Sequence, residues 1–189
     1  MLKNKFLEIF LLIFIQFFIF GCKKGEHWSP IKENELDHFL KIPPEKMEQH
    51  RALAEKLLKT EICPKLQNKK EKIICENLKI NTSMTSIGFA YVKPKCDTIY
   101  VEPISTIFSE SFLKIAVAHE LGHVITNHCI TTTGTEEIQA DLFAAKLFGK
   151  EAVIQFLEEG PKVYKTEPNK LEMQNRHQYR KTILALSGW

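Results

Sequence analysis

The chain predicts an α+β domain, mostly helical, with a small antiparallel β-hairpin or sheet beside one central helix. Three observations carry that expectation. Apolar residues recur at helical spacing in several segments after Pro44, and one pair of β-rich segments is joined by a short Pro-containing turn. The composition, 44% hydrophobic and 26% charged with a net charge of +3, is that of an ordinary globular protein. That balance lacks the concentrated basic face a nucleic-acid partner would need, so no nucleic acid is expected.

The elements follow in order. Lys3 and Lys5 precede residues 9–20, an apolar run of twelve broken only by Gln16. This is the length and flank pattern of a secretory signal, and it falls short of the ~20 residues a spanning helix requires. Residues 1–21 are therefore read as a leader, 22–33 as a polar tether and 34–189 as the folded domain. Pro44 suits a first helical turn, and Met47, Ala54, Leu57 and Leu58 give residues 45–60 a helical period. A second, short helix is expected over 69–78. Residues 86–93 and 96–102 are rich in Ile, Val, Tyr, Phe and Thr and should form the hairpin across Lys93-Pro94-Lys95. Pro103 ends the strands. Ser109 or Ser111 caps the next helix, which runs to about Asn127. Thr131-Thr132-Thr133-Gly134 breaks the chain before helices over 135–148 and 150–159, stopped by Gly149 and Gly160-Pro161, and a last helix begins after Pro168 and runs to about Leu186.

Five cysteines are present, and an exported chain keeps them in an oxidising compartment. With Cys22 set aside, four remain, which allow three pairings or four buried thiols. Cys63–Cys75 would close a loop between two helices. Cys96–Cys129 would tie the start of a strand to the end of the central helix. No CxxC pair supports a zinc ribbon or thioredoxin motif.

The chemistry sits in that central helix, at His119-Glu120-Leu121-Gly122-His123. Residues four apart share a helix face, so His119 and His123 can offer two imidazoles to one Zn²⁺, while Glu120, about a quarter turn round, is placed to act as general base. Leu113, Ala116, Val117, Leu121 and Val124 make the helix apolar on nearly every side, and two histidines in a buried helix need partners. A catalytic zinc usually has three protein ligands. The metzincin extension would need Gly and His where Thr126 and Cys129 stand, and His128 is one residue out of phase. The next helix supplies Glu137-Ile138-Gln139-Ala140-Asp141 instead, with Glu137 and Asp141 on one face beside the small Ala144 and Ala145. Glu137 is the expected third ligand and Asp141 the partner of a ligand histidine's outer nitrogen. Glu136, the competitor, points about 100° away.

HELGH followed by EIQADLFAAKLFG resembles the gluzincin metallopeptidases of the HtpX heat-shock protease and CaaX prenyl protease family, whose HExxH and ExxAD signatures lie on successive helices. The resemblance covers residues 109–149. It implies a zincin-like fold, one Zn²⁺ per chain held by His119, His123 and Glu137, Glu120 as base and acid, Asp141 behind the ligands, and a protein or peptide substrate. The family's later His-Pro…Arg motif is echoed by Arg176-His177-Gln178-Tyr179-Arg180, implying an oxyanion role for His177, which is otherwise a polar residue of the last helix. The strand over 96–102 is expected to be the edge strand that aligns an extended substrate. Gly21-Cys22 resembles the lipobox of bacterial lipoproteins, which implies acylation at Cys22, a membrane partner through that lipid, and a place in the bacterial cell envelope on the periplasmic or extracytoplasmic face. The function expected is a membrane-tethered zinc endopeptidase of exported or misfolded envelope proteins. Two alternatives stand beside it: an ImmA/IrrE-like peptidase, and a zinc-bound scaffold or chaperone that does not hydrolyse.

Overall fold

The computed structural model describes residues 42–82, 90–92, 95–129, 134–163 and 167–187, all within the compact unit Ile31–Trp189. The leader, the tether and Cys22 lie outside the described residues. The architecture is mostly helical with one small sheet. Six helices are described: α1 (Pro44–Leu57), α2 (Lys69–Asn77), α3 (Glu110–Thr126), α4 (Gly134–Phe148), α5 (Lys150–Glu159) and α6 (Glu167–Leu186). The strands are β1 (Lys79–Thr82), β2 (Ala90–Val92) and β3 (Thr98–Val101).

Pro44 opens α1, as its fixed φ and missing N–H allow. The helix does not stop at its expected end: a π-turn over Leu58–Ile62 and a 3₁₀ turn over Cys63–Lys65 carry it into the core, where Leu57, Leu58 and Ile62 are fully buried. Asn68 caps α2 by accepting from the backbone N–H of Lys70 at 2.8 Å. Lys59 closes the other end of α2, its ammonium donating to the carbonyls of Cys75, Glu76 and Leu78. The Cys63–Cys75 disulfide, with Cα atoms 5.7 Å apart, fixes the same junction.

The sheet has the order β1-β3-β2. β2 and β3 form the antiparallel pair expected of the hairpin, with Tyr91 opposite Tyr100. The sheet as a whole, however, is mixed, because β1 lies parallel to β3, with Ile80 opposite Ile99. Two expectations are corrected by this. The sheet is not purely antiparallel, and the strand over 96–102 is its centre, not its edge. A strand paired on both sides has no free ladder with which to take a peptide. β1 escapes sequence reading because it is only four residues long and buries a single apolar side chain, Ile80.

α3 runs through the middle of the domain. Ser109 caps it, its Oγ accepting from Phe112 N–H at 3.2 Å, and Asn127 ends it at φ 59°, a left-handed conformation that Asn tolerates well. Leu113, Val117 and Leu121 are fully buried against the sheet and the flanking helices, each contributing about 1.5–3 kcal/mol relative to exposure. A second disulfide, Cys96–Cys129, with Cα atoms 5.6 Å apart, ties the segment before β3 to the residues just past α3. Among the described residues no helix is long and apolar enough to cross a membrane.

Candidate metal centre

α3 and α4 must approach closely for side chains from both to share one ion, and Gly122 lets them. A Cβ at that position would stand 2.9 Å from the Ala140 Cα and 3.2 Å from the Phe143 Cβ, so the glycine between the two histidines is required by the neighbouring backbone. Ala140 and Ala144, both fully buried on α4, complete the contact.

Across it, His119, His123 and Glu137 converge. The two Nε2 atoms are 3.1 Å apart, and each lies 3.4 Å from a Glu137 carboxylate oxygen. The two histidines face different oxygens of the Glu137 carboxylate, and one ligand atom from each of the three residues lies within 4.8 Å of the others, close enough to share one ion. The donor set of two imidazoles and a carboxylate suits a divalent metal, so the residues fit one. Glu137 supplies the carboxylate of this group, and Glu136 is not part of it.

The surroundings fix the donors. His119 Nδ1 donates to Asp141 Oδ1 at 2.9 Å, which orients the ring so that Nε2 faces His123 and Glu137. Arg180, on α6, was not assigned a role from the sequence, yet it organises the site. Its Nε and Nη2 donate to the two Asp141 oxygens at 2.6 Å each, and its Nη1 lies 3.1 Å from Glu137 Oε2. The only sequence signal was its place in the Arg176–Arg180 segment. The buried Nδ1 of His123 has no hydrogen-bond partner among the described residues.

Charge favours a cation at this group. Two carboxylates, Glu137 and Asp141, face one guanidinium. Burial works against ionisation of Glu137, but His119, His123 and Arg180 hold its carboxyl far below the usual range. Burial likewise opposes the Asp141 charge, and Arg180 overrides it. Burial would keep His119 neutral, yet Asp141 and Glu137 lift its pKa to about 10. The pocket thus draws in positive charge, as a proton when no metal is bound. Glu120 is different. Burial is the main cause of its rise to about 8, with Glu137 adding to it and the charges of His119 and Arg180 opposing. A carboxyl poised near neutrality can both accept and return a proton.

His177 is buried on α6, where its Nδ1 donates to the Leu157 carbonyl at 2.6 Å. Burial, followed by the charge of Arg180, lowers its pKa to about 4. The neutral ring therefore carries its one N–H on Nδ1, leaving Nε2 an acceptor.

Comparison with family models, with curated proteins and with solved structures finds no match to this chain.

Proposed function

We propose that the chain is a zinc-dependent endopeptidase of the zincin class, similar to the HtpX and CaaX prenyl protease gluzincins, tethered at the bacterial envelope through lipid on Cys22 and acting on exported or misfolded proteins. The single observation that supports it most is the convergence of the His119, His123 and Glu137 donors with the buried carboxyl of Glu120 one residue along the same helix.

A zinc ion bound there supplies Lewis acidity and lowers the pKa of water toward ~7. His119, His123 and Glu137 are the residues that would hold it. Glu120 accepts the proton of the attacking water and passes it to the leaving amine. Asp141 keeps His119 in the required tautomer, and Arg180 restrains both Asp141 and Glu137. Because β3 is central, the peptide-aligning edge falls to β2, which packs against α3 and whose outer side pairs with none of the described strands. Backbone pairing there favours extended, unfolded substrate.

A zinc-bound scaffold would need the three donors but not Glu120. The test is hydrolysis of casein by the zinc-loaded chain from residue 22 onward. Wild type is expected to cleave, and Glu120→Gln to keep its metal while losing cleavage. Equal cleavage by Glu120→Gln, or none by fully zinc-loaded wild type, overturns the peptidase reading.

A further inference from the structure

The stretch closed by the Cys63–Cys75 disulfide carries Lys65, Lys69, Lys70 and Lys72 against a single acidic residue, Glu71, so it alone holds as much formal charge as the whole chain, +3. The bridge and the Asn68 cap fix its shape, with α2 over the second half. Glu71 stands four residues before the buried Cys75, shares its side of the helix and is half-buried. The other side of α2 faces solvent. Lys69 and Lys70 lie one turn before Ile73 and flank it, with Lys72 alongside, and all three lysines are exposed. Ile73 itself is 49% exposed.

These charges lack partners within the domain. Lys114 pairs with Glu61 and Lys181 with Glu158, whereas no ion pair among the described residues takes Lys69, Lys70 or Lys72. Three ammonium groups around an exposed isoleucine match an anionic lipid surface, where headgroup phosphates meet the charges and the acyl boundary takes the apolar tip. A purely ionic partner would answer the lysines and leave Ile73 in water. The 22 residues from Cys22 to Pro44 reach at most ~75 Å, several times the ~15 Å radius of gyration of a domain of this length. A lipid at Cys22 therefore does not by itself choose which face meets the bilayer.

We propose that Lys69, Lys70, Lys72 and Ile73 dock the domain on anionic phospholipid headgroups, so that the anchored chain lies with one fixed face on the bilayer. The proposal rests on the reading of the chain as membrane-tethered. Each lysine brought to such a surface strengthens association about fivefold, and salt screens the effect.

The experiment measures sedimentation of the non-acylated chain from residue 22 onward with vesicles of phosphatidylcholine alone and of phosphatidylcholine mixed equally with phosphatidylglycerol. Wild type should bind the mixed vesicles at least about tenfold more tightly, and the triple variant Lys69→Gln, Lys70→Gln, Lys72→Gln should lose at least about tenfold. Ile73→Ser should lose about threefold. Equal charge removed at the exposed Lys46, Lys146 and Lys162, all to Gln, should cost less than about threefold, because these lie on other elements. No preference for the mixed vesicles in wild type, or equal losses from the two triple variants, overturns the patch. Tighter binding to soluble polyglutamate than to the mixed vesicles also overturns it, and makes the partner an acidic protein. The mass of the mature N-terminus tests the tether separately: vesicle docking by a chain that bears no lipid at Cys22 removes the anchor and leaves the patch, and lipid without docking does the reverse.

Discussion

Replacing Arg180 by Met should be among the costliest single changes in this domain. The arginine holds Asp141 by two 2.6 Å hydrogen bonds and Glu137 at 3.1 Å, with side-chain exposure of 12% for Arg180 and 2% for Asp141, so solvent screens the pair little. Methionine fills much of the volume but leaves the buried Asp141 and the half-buried Glu137 carboxylates without their common counter-charge. Removing one partner of a buried pair costs about 3–5 kcal/mol. At this chain length each kcal/mol shifts Tm by about 2–4 °C, so a fall of roughly 6–20 °C is expected. Without metal, the positive charges of Arg180 and protonated His119 balance Glu137 and Asp141; losing Arg180 leaves net negative charge that a bound divalent ion would offset. Thermal melts in chelator should therefore show a larger loss than melts with zinc. Arg180→Lys should recover little, because an ammonium cannot reproduce the two-pronged contact. A melt of Arg180→Met within about 2 °C of wild type in both conditions would refute the reasoning.

Other expectations concern packing, bridges and pH. Gly122→Ala should cost about 1–3 kcal/mol in urea unfolding, because its Cβ meets Ala140 backbone at 2.9 Å, whereas Gly134→Ala, with nothing within 4 Å, should be neutral or mildly stabilising. Equal effects from the two would discredit the helix-contact argument. Replacing Cys96 and Cys129 by Ser frees a 33-residue separation and should cost roughly 4 kcal/mol, against roughly 3 for the 12-residue Cys63–Cys75 pair, as equilibrium unfolding can measure. His177 has a folded pKa of about 4 against 6.5 in the unfolded chain, so its contribution is complete above pH 6.5 and is lost as pH falls toward 4. The shift corresponds to roughly 3 kcal/mol. His177→Asn, which keeps a donor for the Leu157 carbonyl, should flatten the stability profile over that interval; an unchanged slope would count against a neutral buried His177.

The parts of the site that were legible in the sequence are the local ones. His119 and His123, then Glu137 and Asp141, are pairs four apart on a helix, and helical geometry alone puts each pair on one face. The uniformly apolar surroundings of the first pair announced its burial. Arg180 was illegible because it lies 39 residues from Asp141 and its position depends on how α6 packs against α4. The sheet was half legible for the same reason. β2 and β3 are close in sequence and pair locally, whereas β1 reaches β3 across an intervening strand, and one buried isoleucine in four residues is too little period to betray it. That single missed pairing also moved the expected edge from β3 to β2. The burial of His177 suited a helix residue, but its tautomer depends on the Leu157 carbonyl, which only the packing of α5 against α6 supplies.

The most direct measurement is the zinc content of the purified chain after dialysis, for wild type, His119→Ala, Glu137→Ala and Glu120→Gln. The arrangement of donors predicts about one zinc per chain in wild type and in Glu120→Gln, with strong loss in His119→Ala and Glu137→Ala, since each removes one of three ligands. Full retention of zinc by Glu137→Ala, or a wild-type chain that binds none, would contradict the metal centre.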